Sequence, residues 1–180
     1  TPRAISTFLV LFCTLKGRRI KKKEHEIKLS HSAYIVNASA AVLGGSPGVL
    51  KKLGRMGRGP PIPCNSSIVS AVSSAKESTV APDPELRSRF RSLVGKLLYS
   101  SCACRCEIAY CVGMLSRCNE CPTEELYQIG IWCLEYLQAT PDRGLHFRPA
   151  PSICVETFCD SNWDVDQSVT GYIVLVNGTP

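Results

Sequence analysis

Between Asp83 and Phe147, apolar side chains recur at helical spacing through three consecutive segments, and this stretch limits the fold more than any other. In the first segment Asp83 is suited to N-capping, and Pro84 to the first helical position, where a missing N–H costs nothing. Leu86, Phe90, Leu93, Val94, Leu97 and Leu98 follow at the spacing of one buried face, leaving Arg87, Arg89, Arg91 and Lys96 on other faces. A second helix is predicted over Glu107 to Cys118, burying Ile108, Cys111, Val112 and Leu115. The third opens at Pro122-Thr123-Glu124-Glu125, a capping threonine followed by acids where the helix dipole favours them. Its apolar face comprises Leu126, Ile129, Gly130, Cys133, Leu134 and Leu137; it runs to about Ala139, and Pro141 lies beyond. Such faces are buried only against one another, so residues 83–147 are expected to form a three-helix subdomain.

The whole chain has 180 residues, the length of one domain or of one domain joined to the start of another. Its hydrophobic content, 44%, is enough for a core and excludes wholesale disorder. A formal charge of +6 permits polyanion binding without requiring it. Eleven cysteines at irregular spacing do not form a secreted disulfide framework; they read as reduced, small apolar side chains, which places the chain inside the cell, in cytoplasm or nucleus. No apolar run approaches the roughly 20 residues needed to span a bilayer, so no membrane partner is expected. Ile5 to Leu15 lacks a cleavage site and reads as a strand rather than a signal sequence. Thr1 in place of Met points to a fragment or a processed product.

Upstream of the helices, Phe8 to Phe12 reads as a buried strand, and Glu26-Ile27-Lys28-Leu29-Ser30 alternates with period two. Between them lie Lys16, Arg18, Arg19, Lys21, Lys22 and Lys23, which would form the basic tip of a β-hairpin and could neutralise phosphates; a solvated loop is the alternative. Ser32 to Leu43 is helical in pattern and ends at Gly44-Gly45. Residues 44–82 are rich in glycine, proline and serine and read as a linker. Downstream, 144–147 reads as a strand. Ile153 to Asp160 and Tyr172 to Val176 read as two strands able to pair through 161–171. The expected class is α+β, in four parts: an N-terminal hairpin and helix (1–43), the linker (44–82), the helical subdomain (83–147) and a C-terminal hairpin (152–180).

Phe90-Arg91-Ser92-Leu93-Val94-Gly95-Lys96-Leu97-Leu98-Tyr99 resembles the Tyr-Arg-Ser-Leu-Val-Gly-Ser-Leu-Leu-Tyr signature of copia-type (Ty1/copia) retrotransposon Pol polyproteins. Arg105-Cys106-Glu107-Ile108-Ala109-Tyr110 is similar to that family's Arg-Pro-Asp-Ile-Ala-Tyr. Leu115-Ser116-Arg117, Pro122-Thr123-Glu124-Glu125, Leu134-Glu135-Tyr136-Leu137, Thr140-Pro141-Asp142 and Gly144-Leu145-His146-Phe147 follow in order at the expected distances. Phe158-Cys159-Asp160-Ser161-Asn162-Trp163 and Thr170-Gly171-Tyr172 resemble the opening of the family's ribonuclease H domain. The resemblance implies the C-terminal, thumb- or connection-like part of a reverse transcriptase running into the start of ribonuclease H, with an RNA/DNA template–primer duplex as partner. Departures at Cys106, Glu107, Ile131-Trp132, Glu135 and Asn162 point to a diverged or decayed copy.

Both activities of that family use carboxylates that hold two metal ions a few ångströms apart. The sequence has no Tyr-x-Asp-Asp pair, so polymerisation by this polypeptide alone is not expected. The resemblance maps Asp160 alone onto a catalytic position, the first ribonuclease H carboxylate. One carboxylate does not organise a pair of Mg²⁺ ions, so Asp160 reads as a vestigial metal ligand, with Mg²⁺ a cofactor only of an intact domain. Asp164 and Asp166 read as solvated turn residues. Two other readings compete. A zinc module would use Cys118-x-x-Cys121 with Cys102, Cys104, Cys106 or Cys111, although no second C-x-x-C is present. A small nucleic-acid-binding module would use Lys16 to Lys23 with Arg87, Arg89 and Arg91. No nucleophile–base signature occurs, and oligomeric state is not encoded in any pattern here.

Overall fold

A computed structural model describes residues 19–23, 26–44, 59–162 and 169–180. The protein is mixed α/β, with five α-helices and two small antiparallel sheets among the described residues. In chain order these are β1 (Arg19–Lys23), β2 (Glu26–Ser30), α1 (Ser32–Leu43), α2 (Ile68–Glu77), α3 (Pro84–Ala103), a 3₁₀ turn (Cys106–Ile108), α4 (Ala109–Ser116), α5 (Glu124–Ala139), β3 (Gly144–Phe147), β4 (Val155–Asn162) and β5 (Val169–Val176).

The helix starts follow from local chemistry. The Asp83 carboxylate accepts hydrogen bonds from the Glu85 and Leu86 amides at 3.2 Å each, and Pro84 occupies the first turn of α3. The Thr123 hydroxyl accepts from the Leu126 amide at 3.2 Å to start α5. The helix expected over 107–118 is shorter and broken: a 3₁₀ turn precedes α4, which ends at Ser116, and a turn closes on Cys118.

One core unites all five helices, where a three-helix subdomain is expected from the sequence. Ile35 and Ala38 of α1 join Phe90, Leu93, Val94 and Leu97 of α3, Leu115 of α4, and Leu126, Leu134 and Leu137 of α5. The segment read as linker contributes α2, whose Ile68, Ala71, Val72 and Ala75 are buried in the same core. Spacing of 3, 4 and 7 explains this helix, and its serines, which lower propensity, face outward. Before α2 the chain is fixed by the Trp132 indole, which donates to the Ile62 carbonyl at 2.9 Å. Helix α1 docks through rings: His31 stacks on Tyr99 at 5.2 Å, and Tyr34 lies 4.7 Å from Tyr99.

The first sheet has the order β1-β2-β3, all antiparallel. Here the expected hairpin is corrected. Arg19 to Lys23 is itself a strand paired with β2, rather than a tip, while Phe8 to Phe12, Lys16 and Arg18 lie outside the described residues. β3 pairs with β2 across more than a hundred residues of sequence, and Leu29 and Leu145 are buried together. Gly144 makes that approach possible, because a Cβ there would overlap the Leu29 carbonyl.

The second sheet is the ribbon β4–β5, paired from Val155↔Val176 to Asn162↔Val169, as the two expected tail strands require. It touches the body through the Thr179 hydroxyl, which donates to the His146 carbonyl. Val155, Phe158, Tyr172 and Val174 remain exposed on it.

Candidate functional site

The basic residues singled out by the sequence fall on two separate elements. Arg19, Lys21, Lys22 and Lys23 belong to β1, at the edge of the first sheet. Arg87, Arg89 and Arg91 lie on the first half of α3, and there each meets a carboxylate. Arg87 pairs with Glu120 at 3.8 Å and Arg89 with Glu124 at 3.6 Å, while Arg91 is hydrogen-bonded to Glu120 and, through Nε, to the Asn119 carbonyl at 3.1 Å. Arg89 also sits 4.9 Å above the Tyr127 ring. Three guanidinium groups thus share two carboxylates supplied by the turn before α5 and by its first residue. All these side chains are exposed, so the pairs are weak and open to exchange with another anion.

The arginine that sequence reading passed over is the most consequential one. Arg105 is 0% exposed and is the largest fully buried side chain among the described residues. Its Nε donates to Glu107 at 2.6 Å, one terminal nitrogen donates to the Thr140 carbonyl at 2.9 Å, and the other to the Thr140 hydroxyl at 2.6 Å. The guanidinium carbon lies 5.8 Å from the centre of the Tyr136 ring. Thr140 in turn donates its hydroxyl proton to the Tyr136 carbonyl at 2.8 Å, closing the end of α5. Burying a guanidinium requires this degree of satisfaction. The signal was in the sequence: Arg105-Cys106-Glu107 and Thr140-Pro141-Asp142 are two of the quoted motifs, and the structure joins them. Glu107, in place of the family's aspartate, still supplies the counter-charge.

Beside this network lies an open concavity of about 430 Å³, lined by Lys28, Glu107, Tyr136, Arg143, Gly144 and His146. Arg143 donates to the Tyr136 hydroxyl at 3.0 Å. Lys28 and His146 are cross-strand partners. None of these residues was singled out as a binding residue from the sequence, because they come from β2, the 3₁₀ turn, α5 and β3 and meet only in the fold.

Asp160 lies within strand β4, opposite Gly171, and is exposed. Asp164 and Asp166 fall outside the described residues. Among the described residues no group of three or more His, Cys, Asp or Glu side chains is placed to hold a metal ion.

The cysteines divide by burial. Cys104, Cys111, Cys118 and Cys133 are buried, and Cys102, Cys154 and Cys159 are exposed. The Cys111 thiol, hydrogen-bonded to Cys133 and buried, is raised well above the usual thiol range. Burial pushes Cys64 up to about 12, and burial next to Cys121 pushes Cys118 up to about 11. Without a metal ion such thiols stay protonated at neutral pH. No helix among the described residues is long and apolar enough to cross a membrane.

Known proteins resemble about half or more of the chain. It is 31% identical over 106 residues to the retrovirus-related Pol polyprotein from transposon RE2 of Arabidopsis thaliana, covering 57% of this chain and 7% of that protein. It is 35% identical over 92 residues to the Pol polyprotein from transposon TNT 1-94 of Nicotiana tabacum, covering 49% of this chain and 7% of that protein. It is 27% identical over 121 residues to a putative transposon Ty5-1 protein of Saccharomyces cerevisiae, covering 65% of this chain and 37% of that protein. The chain thus spans less than a tenth of the length of the polyproteins it matches. No protein-family model matches it, and no solved structure is a match. Over about half its length, this chain is homologous to a segment of copia-type retrotransposon Pol polyproteins.

Proposed function

We propose that the chain is the C-terminal part of a copia-type reverse transcriptase running into the start of a ribonuclease H domain, and that its remaining capacity is to grip an RNA–DNA template–primer duplex by the backbone. The observation that carries this reading is the convergence of motifs far apart in sequence on one folded body. Arg105 of one motif holds Thr140 of another, and Gly144 of a third seats β3 against β2. Those residues build a scaffold, and a scaffold with cationic faces suits duplex binding better than chemistry. Lys16 to Lys23 and the Arg87, Arg89 and Arg91 face are the basic elements assigned to it, the latter after exchange of Glu120 and Glu124 for phosphates.

Catalysis is not part of the proposal for this polypeptide. Asp160 corresponds to a first ribonuclease H carboxylate, and Mg²⁺ belongs to an intact domain that supplies further acidic ligands. The intracellular location follows from reduced cysteines and this ancestry. The experiment is anisotropy of a labelled RNA–DNA hybrid titrated with the protein over a salt series. Expected is saturable binding at low salt, with log affinity falling by about 0.9 for every phosphate contact. Absence of binding at low salt, or affinity indifferent to salt, overturns the reading.

A further inference from the structure

Lys28 and His146 sit directly opposite one another on β2 and β3, and Lys21 sits directly opposite Lys28 on β1. The register therefore places three basic residues in one cross-strand row spanning the whole sheet, about 10 Å at the usual strand spacing. Like charges directly opposite one another are destabilising in a sheet. Among the described residues Lys28 has no ion pair, and the nearest acid on the same strand, Glu26, is engaged by Arg148 at 3.4 Å. Arg143 lines the same concavity as Lys28 and His146. It is exposed, its guanidinium is held by the Tyr136 hydroxyl at 3.0 Å, and it has no carboxylate partner among the described residues.

The one carboxylate lining the concavity does not cancel this charge. Glu107 is bonded to the fully buried Arg105 at 2.6 Å, so that pair is neutral in sum. What remains is an open hollow of about 430 Å³ with two basic side chains that have no carboxylate partner among the described residues, Lys28 and Arg143, and the His146 imidazole. Ammonium, guanidinium and imidazole are all able to donate to oxygen, and a guanidinium fork matches phosphate geometry. The hollow is too open to enclose a small ligand, and Lys28 and His146 lie on neighbouring strands, a spacing that suits an extended anion.

We propose that the concavity of Lys28, Arg143 and His146 is a phosphodiester-binding site, which carries one strand of a nucleic-acid duplex across the face of the first sheet. This rests on the duplex-binding reading above but moves its centre. The α3 arginines already have carboxylate partners; among the described residues Lys28 and Arg143 have none.

The test compares three proteins in the hybrid titration: the parent chain, Lys28→Ala/Arg143→Ala, and Arg87→Ala/Arg89→Ala/Arg91→Ala. The double variant is expected to lose about eightfold in affinity per contact near 0.1 M salt, and to show a log–log salt slope shallower by about 0.9 per contact. Lys28→Arg should bind like the parent. Lys28→Ala should melt no lower than the parent, since it relieves a like-charge pair; a residue kept for the fold alone would melt lower. Should the double variant unfold, the single variants Lys28→Gln and Arg143→Gln report the same slope. If the double variant binds with unchanged slope while the triple variant loses binding, the site is refuted and the duplex-binding reading stands. If the parent itself fails to bind at low salt, both fall. A second arm titrates inorganic phosphate alone against amide shifts of residues 28 and 143–146. Shifts there together with duplex binding support the site, and phosphate binding without duplex binding overturns it.

Discussion

Replacing Arg105 by alanine tests whether the buried guanidinium holds the end of α5 to the turn after α3. The side chain makes three charge-assisted hydrogen bonds, one to Glu107 and two to Thr140, from a fully buried position. Breaking a buried ion pair from one side costs about 3–5 kcal/mol when the survivor is left without compensation. Here the survivors are partly relieved. The Glu107 side chain is 34% exposed and rehydrates, the Thr140 carbonyl keeps the Arg143 amide at 3.1 Å, and the Thr140 hydroxyl keeps the Tyr136 carbonyl. That lowers the expected loss to about 2–3 kcal/mol. A domain of this size loses about 2–4 °C of Tm per kcal/mol, so Tm should fall by about 4–12 °C. Glu107→Ala should cost at least as much, because it strands a buried cation with no counter-charge. The double variant should cost about as much as either single variant. Urea denaturation of all four proteins supplies the cycle. A loss under about 1 kcal/mol for Arg105→Ala, or costs that simply add in the double variant, would refute the reasoning.

Four further expectations follow from named residues. Ile68→Ala, within the segment that looks like linker, should destabilise by about 2–5 kcal/mol in the same assay, because Ile68 is buried in the common core; a true linker residue would cost almost nothing. Gly144→Ala should cost about 2 kcal/mol or more and broaden amide signals of β2 and β3, since the methyl group must displace the Leu29 carbonyl. Thiol labelling at pH 8 should modify Cys102, Cys154 and Cys159 quickly and Cys64, Cys111 and Cys118 slowly. Because the folded chain holds Cys64 near 12 and Cys118 near 11, above the ordinary thiol value of 9.0, their contribution to stability is complete below pH 9. It is lost as pH rises from 9 toward 12, visible as a falling Tm; a Tm flat across that window would contradict the buried, protonated thiols.

What the sequence determined by itself was the local structure of its well-patterned parts. The caps at Asp83 and Thr123, the buried faces of α3 (apart from Leu98, which is exposed) and α5, and the strands of the tail were legible because each depends on residues within a turn or two of one another. The polyprotein relationship was legible for the same reason, since its motifs are short and ordered along the chain. Helix α2 was obscured by its serines, a propensity signal that burial of Ile68, Ala71, Val72 and Ala75 overrides. Only the tertiary structure decided the rest. It buried Arg105 against Thr140, 35 residues away, and set Glu120 and Glu124 against the α3 arginines. It also paired β3 with β2, placing Lys28 beside His146, whose separation in sequence exceeds a hundred residues. Charge in a sequence says how many cations exist. Which of them are already neutralised, and which stand in a row awaiting an anion, depends on long-range packing that no local pattern encodes.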